Sequence, residues 1–231
     1  MKVSILLPYK ENFTINKSGA VSLFIKDLIK NKKDKNIFKV YGDTKENKFL
    51  HKNYVNLNIQ RNLLSSTSKI YIDKFLLKEK HFDSDIIEIH NRPSYVSRIK
   101  NHTKSKLILF FHNDPLSMNG SRTVEDRYYL LKNIDHFVFN SKWSLSRFKI
   151  NVKNVDLYNN KFSVIYQCVS KKKINFSKKK KIISFVGKLN SAKGYDIFGK
   201  TIIKILNKYD DWKAIVIGDE PREKIFFKHP N

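Results

Sequence analysis

Short apolar runs that alternate with stretches of helical spacing constrain this chain more than any other feature. "VSILLP" (3–8) is continuous and apolar, as a buried strand is. "SGAVSLFIKDLIKNKK" (18–33) follows with Ser18 as N-cap and with Val21, Phe24, Ile25, Leu28 and Ile29 on one helical face. "NIFKVYG" (36–42), "DIIEIH" (85–90), "KLILFFH" (106–112), "HFVFNS" (136–141) and "FSVIYQ" (162–167) repeat the strand pattern. Helical stretches fall between or beside them at 66–80, 94–101, 121–133 and 143–150. Antiparallel strands with one wet face would alternate apolar and polar residues, and these runs do not. The order strand, helix, strand therefore predicts an α/β fold, a doubly wound, Rossmann-like parallel sheet over residues 1–168.

The pattern breaks at "SKKKINFSKKKK" (170–181), so residues 169–181 read as a basic linker. It restarts with "IISFVG", a helix over "YDIFGKTIIKILNKY" (195–209) and the strand "WKAIVIG" (212–218). Two strands and one helix are too few to close a core. Residues 182–231 are expected to be the start of a second Rossmann-like domain or an extension of the first sheet.

Charge bears on partners. Lys and Arg number 46 against 21 Asp and Glu, a formal net charge of +25. Nucleotides, nucleic acid and anionic membrane surfaces all suit such a chain. A bland reading competes, because Lys, Asn, Ile, Phe and Tyr are residues with AT-rich codons. No RRM, helix-turn-helix or zinc-finger signature appears, which argues against nucleic acid. The single cysteine, Cys168, rules out an internal disulfide and any multi-cysteine metal site. No run approaches the ~18 apolar residues of a membrane span, and the N-terminus is too short for a signal peptide, so a cytoplasmic protein is expected.

Open α/β sheets bind ligands beyond the carboxyl ends of their strands. Two strands end in histidine there, "IEIHNRP" and "LFFHNDP", each followed by Asn. A lone strand-end histidine is more often structural. His90 with Asn91 and His112 with Asn113, at equivalent places, point instead to one cleft. Imidazole exchanges hydrogen bonds with hydroxyls or phosphate near neutral pH. No zinc site is expected, since His90, His102, His112 and His136 lack ligand spacing. The motif "HND" supplies one carboxylate, Asp114, and no acid–base pair.

"GKLNSAKG" follows a strand and opens a helix, where backbone N–H groups and the helix dipole attract phosphate. Lys188 and Lys193 add two point charges, and Gly187 ends the strand before them. The Walker A order is missing, and an exposed turn in a Lys-rich chain would look the same. "VIGDEP" (216–221) is a second strand closed by Gly. Gly19, at the start of the first long helix, would also permit close approach of a ligand; a turn glycine is the competing reading.

Taken in chain order, the Gly19 loop, "EIHNRP", "FFHNDP", "FVFNSKWSLSRF", "FSVIYQCVS", "SFVGKLNSAKGYDIF" and "AIVIGDEP" resemble the motifs of family 4 glycosyltransferases, retaining enzymes of the GT-B fold. The resemblance covers nearly the whole chain, although each motif alone is weak. It implies a UDP- or GDP-sugar donor whose diphosphate meets Lys188, Lys193, Gly187 and Gly19, with Lys188 where the family more often has Arg. It implies that His112 approaches the donor sugar as the catalytic residue. His90, Asn91 and Asn113 would then line the acceptor side or the cleft. Transfer would need no metal or other cofactor. The acceptor would be a glycan or lipid-linked molecule of surface polysaccharide synthesis, which allows peripheral contact with an anionic membrane at the inner face of the plasma membrane. One departure stands out: the family's two glutamates, eight positions apart, are absent, and Glu220 and Glu223 do not match them. A truncated donor domain is the expectation that follows, with an inactive remnant or a basic nucleic-acid-binding module as rival readings.

Overall fold

The computed structural model of the chain describes residues 1–30, 37–60, 65–167, 173, 175, 177, 179–219 and 224–231. Cys168, the first part of the linker, Glu220 and Glu223 lie outside them, as do the last residues of the predicted first helix. Two compact units are present, Met1–Ser170 and Lys171–Asn231.

The first unit is built on a seven-stranded parallel sheet. Its strands are β1 (Val3–Leu6), β2 (Phe38–Gly42), β3 (Tyr54–Asn56), β4 (Ile86–His90), β5 (Lys106–Phe111), β6 (His136–Phe139) and β7 (Phe162–Val164). Their spatial order is β3-β2-β1-β4-β5-β6-β7. The order reverses between β1 and β4, so the loops leaving these two strands flank the topological switch point. The helices are α1 (Ala20–Lys30), α2 (Thr67–Phe82), α3 (Val96–Lys100), α4 (Val124–Asn133) and α5 (Lys142–Lys149).

Side chains alternate across the sheet and build two cores. Leu6, Tyr41, Ile87, Ile89, Leu109, Phe111 and Phe139 join Phe75 of α2, Ile99 of α3, Leu131 of α4 and Phe148 of α5. Val3, Ile5, Phe38 and Val40 project the other way onto Val21, Ile25 and Ile29 of α1. Helices therefore cover both faces, and the doubly wound expectation holds.

Differences from the sequence reading are local. β3 was not anticipated, because its three residues sit among Asn, His and Lys at the sheet edge. The helix expected at 94–101 is a 3-10 turn, Pro93–Tyr95, followed by the short α3. Ser18 does not cap α1: its hydroxyl donates to the Thr14 carbonyl, and the Glu11 carboxylate accepts from Ser22 N at 2.9 Å instead.

The second unit holds β8 (Ile182–Val186), α6 (Tyr195–Lys208) and β9 (Lys213–Ile217), with β8 and β9 parallel neighbours. Gly199 of α6 has no side chain because the Phe227 ring occupies that place: an added Cβ would lie 2.0 Å from it. Residues near the end of the chain are pinned to this unit by Ala214 N donating to Asn231 O at 3.0 Å and by His229 with Asn207. Among the described residues no helix is long and apolar enough to cross a membrane.

Candidate functional site

β4 and β5 are adjacent and in register, with His90 opposite Phe110. His112 follows one residue after β5 ends, so the two histidines emerge side by side at the carboxyl edge. Their ring nitrogens, His90 Nδ1 and His112 Nε2, lie 3.0 Å apart. The rings stack nearly parallel at 5.3 Å, and Phe110 stacks on His90 at 4.3 Å. Phe24 of α1 places its ring edge against His112 at 5.2 Å. His90 is fully buried and His112 half-buried.

The chain of contacts extends both ways. Gln167 Nε2 lies 2.7 Å from His112 Nδ1, and Glu88 Oε2 lies 3.5 Å from His90 Nε2. The second distance is too long for a hydrogen bond, and His90 Nε2 is buried without one. The Glu88 carboxylate nonetheless favours an N–H facing it over a lone pair, which selects between the two donor patterns. With the proton on His90 Nε2, His90 Nδ1 accepts from His112 Nε2–H. His112 Nδ1 is then the acceptor of a hydrogen bond donated by the Gln167 amide. Reversing every donor would point the His90 lone pair at Glu88. Burial, and next the neighbouring His90, push the His112 pKa down to about 3, so His112 is neutral at physiological pH.

The backbone of His112 is held as well. Its N–H donates to Asn91 Oδ1 at 3.3 Å, and its carbonyl accepts from Asn140 Nδ2 at 2.8 Å. Asn91 adopts φ 57°, a left-handed conformation that Asn tolerates better than most residues. His90, Asn91 and His112 are thus brought together, whereas Asn113 is exposed. Asp114 serves structure: it caps the 3-10 turn Pro115–Ser117 and forms an ion pair with Arg147, which holds its carboxyl below the usual range.

Gly19 stands beside the Glu11 carboxylate just before α1. An added Cβ would lie 2.1 Å from Glu11 Oε1, so the glycine makes room for a side chain of this same chain. A carboxylate already occupies the start of α1, and a diphosphate placed there would meet like charge.

In the second unit, Lys188 and Lys193 are exposed and form no ion pair among the described residues. The loop between them is organised by Asn190, which is buried. Its side-chain oxygen accepts from Lys193 N at 3.1 Å, and its carbonyl accepts from Tyr195 N at 3.2 Å. Gly194 N donates to Ser191 O at 2.9 Å. These three amides are satisfied inside the loop, so the lysine ammonium groups, more than loop amides, are what it offers an anion. Gly194 takes φ 73° as the chain enters α6. Gly187 and Gly218 end the paired strands side by side: Gly187 N donates to Ile217 O at 3.0 Å, and a Cβ on Gly218 would lie 1.7 Å from Gly187 O.

Four residues of the first site escaped the sequence reading: Glu88, Gln167, Asn140 and Phe24. Glu88 could have been found, since it lies two residues before His90 and shares its face of β4. The others come from distant elements and carry no local signal. Among the described residues, no group of three His, Cys, Asp or Glu side chains is placed so that it could hold a metal ion.

No protein-family model matches the chain, and no curated protein matches it. Solved structures do resemble it. The structure of Anabaena Alr3699/HepE in complex with UDP and glucose superposes with TM-score 0.64 and 14% identity, over 96% of this chain and 62% of that one. Sucrose-phosphate synthase from Thermosynechococcus elongatus gives 0.65 and 10%, over 97% and 64%. The apo form of the lipopolysaccharide outer core galactosyltransferase WaaB gives 0.56 and 16%, over 96% and 62%. At these identities the likeness carries the fold, which is of the GT-B type. The chain spans less than two thirds of the length of each of these structures.

Proposed function

We propose that this chain belongs to a retaining glycosyltransferase related to family 4, which moves a sugar from UDP- or GDP-sugar to a glycan or lipid-linked acceptor. The observation that carries this reading is the likeness, along 96% of the chain, to a structure solved with UDP and glucose. Residues Met1–Ser170 would serve the acceptor and the reacting sugar, and the β8–α6 loop the donor diphosphate.

In this reaction the anomeric C–O bond to the diphosphate breaks. A C–O bond to the acceptor hydroxyl forms on the same face, and the hydroxyl proton leaves with the diphosphate. Negative charge grows on the leaving group, and Lys188 and Lys193 meet it in the role a divalent ion plays elsewhere. Interactions with charge that appears only in the transition state are often the largest part of catalysis. His112 offers a neutral Nδ1 acceptor, engaged in the free chain by the exposed Gln167. A substrate hydroxyl that replaces the Gln167 amide would be oriented there. With a pKa near 3, His112 is too weak a base to remove a hydroxyl proton at neutral pH, so orientation is its role. The excess of basic residues also suits peripheral contact with an anionic membrane.

Calorimetric titration with UDP and with GDP tests the reading. Lys188→Ala and Lys193→Ala should each weaken binding, since a hydrogen bond to a charged group contributes about 1.5–3 kcal/mol. Equal affinity in both variants and the parent chain would remove the donor role of the loop.

A further inference from the structure

The first unit contains a second polar feature at the carboxyl edge of its sheet. A cavity of about 390 Å³ is lined by Ser68, Asn91, Arg92, Ser94, Asn119 and Arg122, with no acidic residue on its wall. Asn91 belongs to both places, because its Oδ1 holds the backbone of His112.

The arginines of the chain explain what this cavity is suited to. Arg98 is paired with Asp73, and Arg147 with Asp114. Arg127 is buried and spends its guanidinium on the carbonyls of Ser121, Arg122 and Ile150. Among the described residues, Arg92 and Arg122 are the arginines that have neither a carboxylate partner nor a buried carbonyl cage, and both line the same cavity. In a chain of net charge +25, stray surface lysines are expected anywhere. Two guanidinium groups without a carboxylate partner lining one concavity are a narrower observation.

The walls are built. Arg92 Nη1 donates to the Asn91 carbonyl at 2.8 Å, which ties the guanidinium to the strand end. The opposite wall, the loop that carries Asn119 and Arg122, is anchored by Arg127 at two successive carbonyls and by Ser121 Oγ, which donates to Pro115 O at 2.6 Å. It packs so closely on the other wall that a Cβ on Gly120 would lie 2.6 Å from Ser94 N, and Gly120 has φ 86°. Ser68 brings the first turn of α2, whose dipole also favours an anion.

We infer that this cavity binds a phosphate group carried by the acceptor, with Arg92 and Arg122 as its two forks and Asn119, Ser94 and Ser68 as neutral partners. The inference rests on the glycosyl-transfer reading for the word acceptor, whereas phosphate binding itself does not depend on it. Guanidinium forks match phosphate oxygens bidentately, which lysine cannot do.

The test uses the full 231-residue chain carrying Lys188→Ala and Lys193→Ala, so that the other basic loop is silent. Calorimetric titration with inorganic phosphate at low ionic strength should show binding. Arg92→Gln and Arg122→Gln should each weaken it by tenfold or more, with unchanged circular dichroism. Arg92→Lys and Arg122→Lys should retain part of it, since charge survives without the fork. Co-sedimentation with phosphatidylcholine vesicles, with or without phosphatidic acid, identifies the source. Recruitment that depends on phosphatidic acid and on both arginines marks a lipid-borne phosphate; phosphate binding without recruitment marks a soluble one. Failure to bind phosphate, or binding that both Gln variants leave intact, overturns the inference. A UDP titration of the chain with every lysine and arginine in place judges the donor reading separately: a chain that takes phosphate through Arg92 and Arg122 but no nucleotide keeps this site and loses the transferase.

Discussion

At the residue scale, His112 shows how position in a fold sets chemistry. An ordinary imidazole is half-protonated near pH 6.5. Here burial and His90 hold the pKa at about 3. The sign of the stability effect follows. Below pH 6.5 the unfolded chain takes a proton at this position and the folded chain does not, so stability falls as pH drops from 6.5 toward 3. The slope is below ~1.4 kcal/mol per pH unit, because His112 keeps part of its surface in water. Urea midpoints measured from pH 7.5 to 4.5 should decline less steeply in His112→Asn than in the parent; equal slopes would show that His112 titrates normally. Glu88 is predicted to act through His90. Glu88→Gln removes the charge that favours the His90 Nε2–H form, so the His90 and His112 ¹⁵N shifts should move toward the other tautomers while the fold persists. Unchanged shifts would assign Glu88 no such role. His90 and His112 were legible in the sequence from their matched motifs. Their direct contact was not, because it depends on β4 and β5 being neighbours in register.

At the element scale, Glu79 joins three parts of the first unit. It is buried in α2 and accepts from Ser4 of β1 and from both the hydroxyl and the N–H of Ser84, the latter at 2.9 Å. Glu79→Ala would leave these donors unpaired where water does not reach, a loss of about 3 kcal/mol measurable by urea unfolding. A loss under half a kcal/mol would show that the contacts are replaced by solvent. The helix starts behave similarly. Thr123 and Asp126 form a reciprocal cap on α4, and Thr123→Ala should cost about 1 kcal/mol. Most elements were readable from periodicity, since apolar runs and helical faces are local properties. The start of α1 was misread at Ser18, because its cap comes from Glu11, across a loop.

At the scale of the whole molecule, the two units differ in how much they bury. The first has two apolar cores, whereas the second, among its described residues, buries Tyr195, Ile202 and Leu206 as its large apolar side chains. Val186 at the end of β8 is 74% exposed and Ile217 of β9 57%. Hydrogen exchange followed by mass spectrometry should therefore show slow exchange in β4, β5 and β6 and exchange faster by orders of magnitude in β8 and β9. Equal protection would mean that other parts of the protein shield this sheet.

The sequence by itself determined the parallel, doubly wound fold, the strand-end histidines and the lysine loop, because periodicity and strand termini are written in consecutive residues. Tertiary structure decided everything that joins distant segments. It set His90 against His112 and Glu88 behind them. It filled the space over Gly19 with Glu11, and it left Arg92 and Arg122 without a carboxylate partner around one cavity. Those relations depend on strand order and on which carboxylates are already taken, and no local stretch of a chain encodes either.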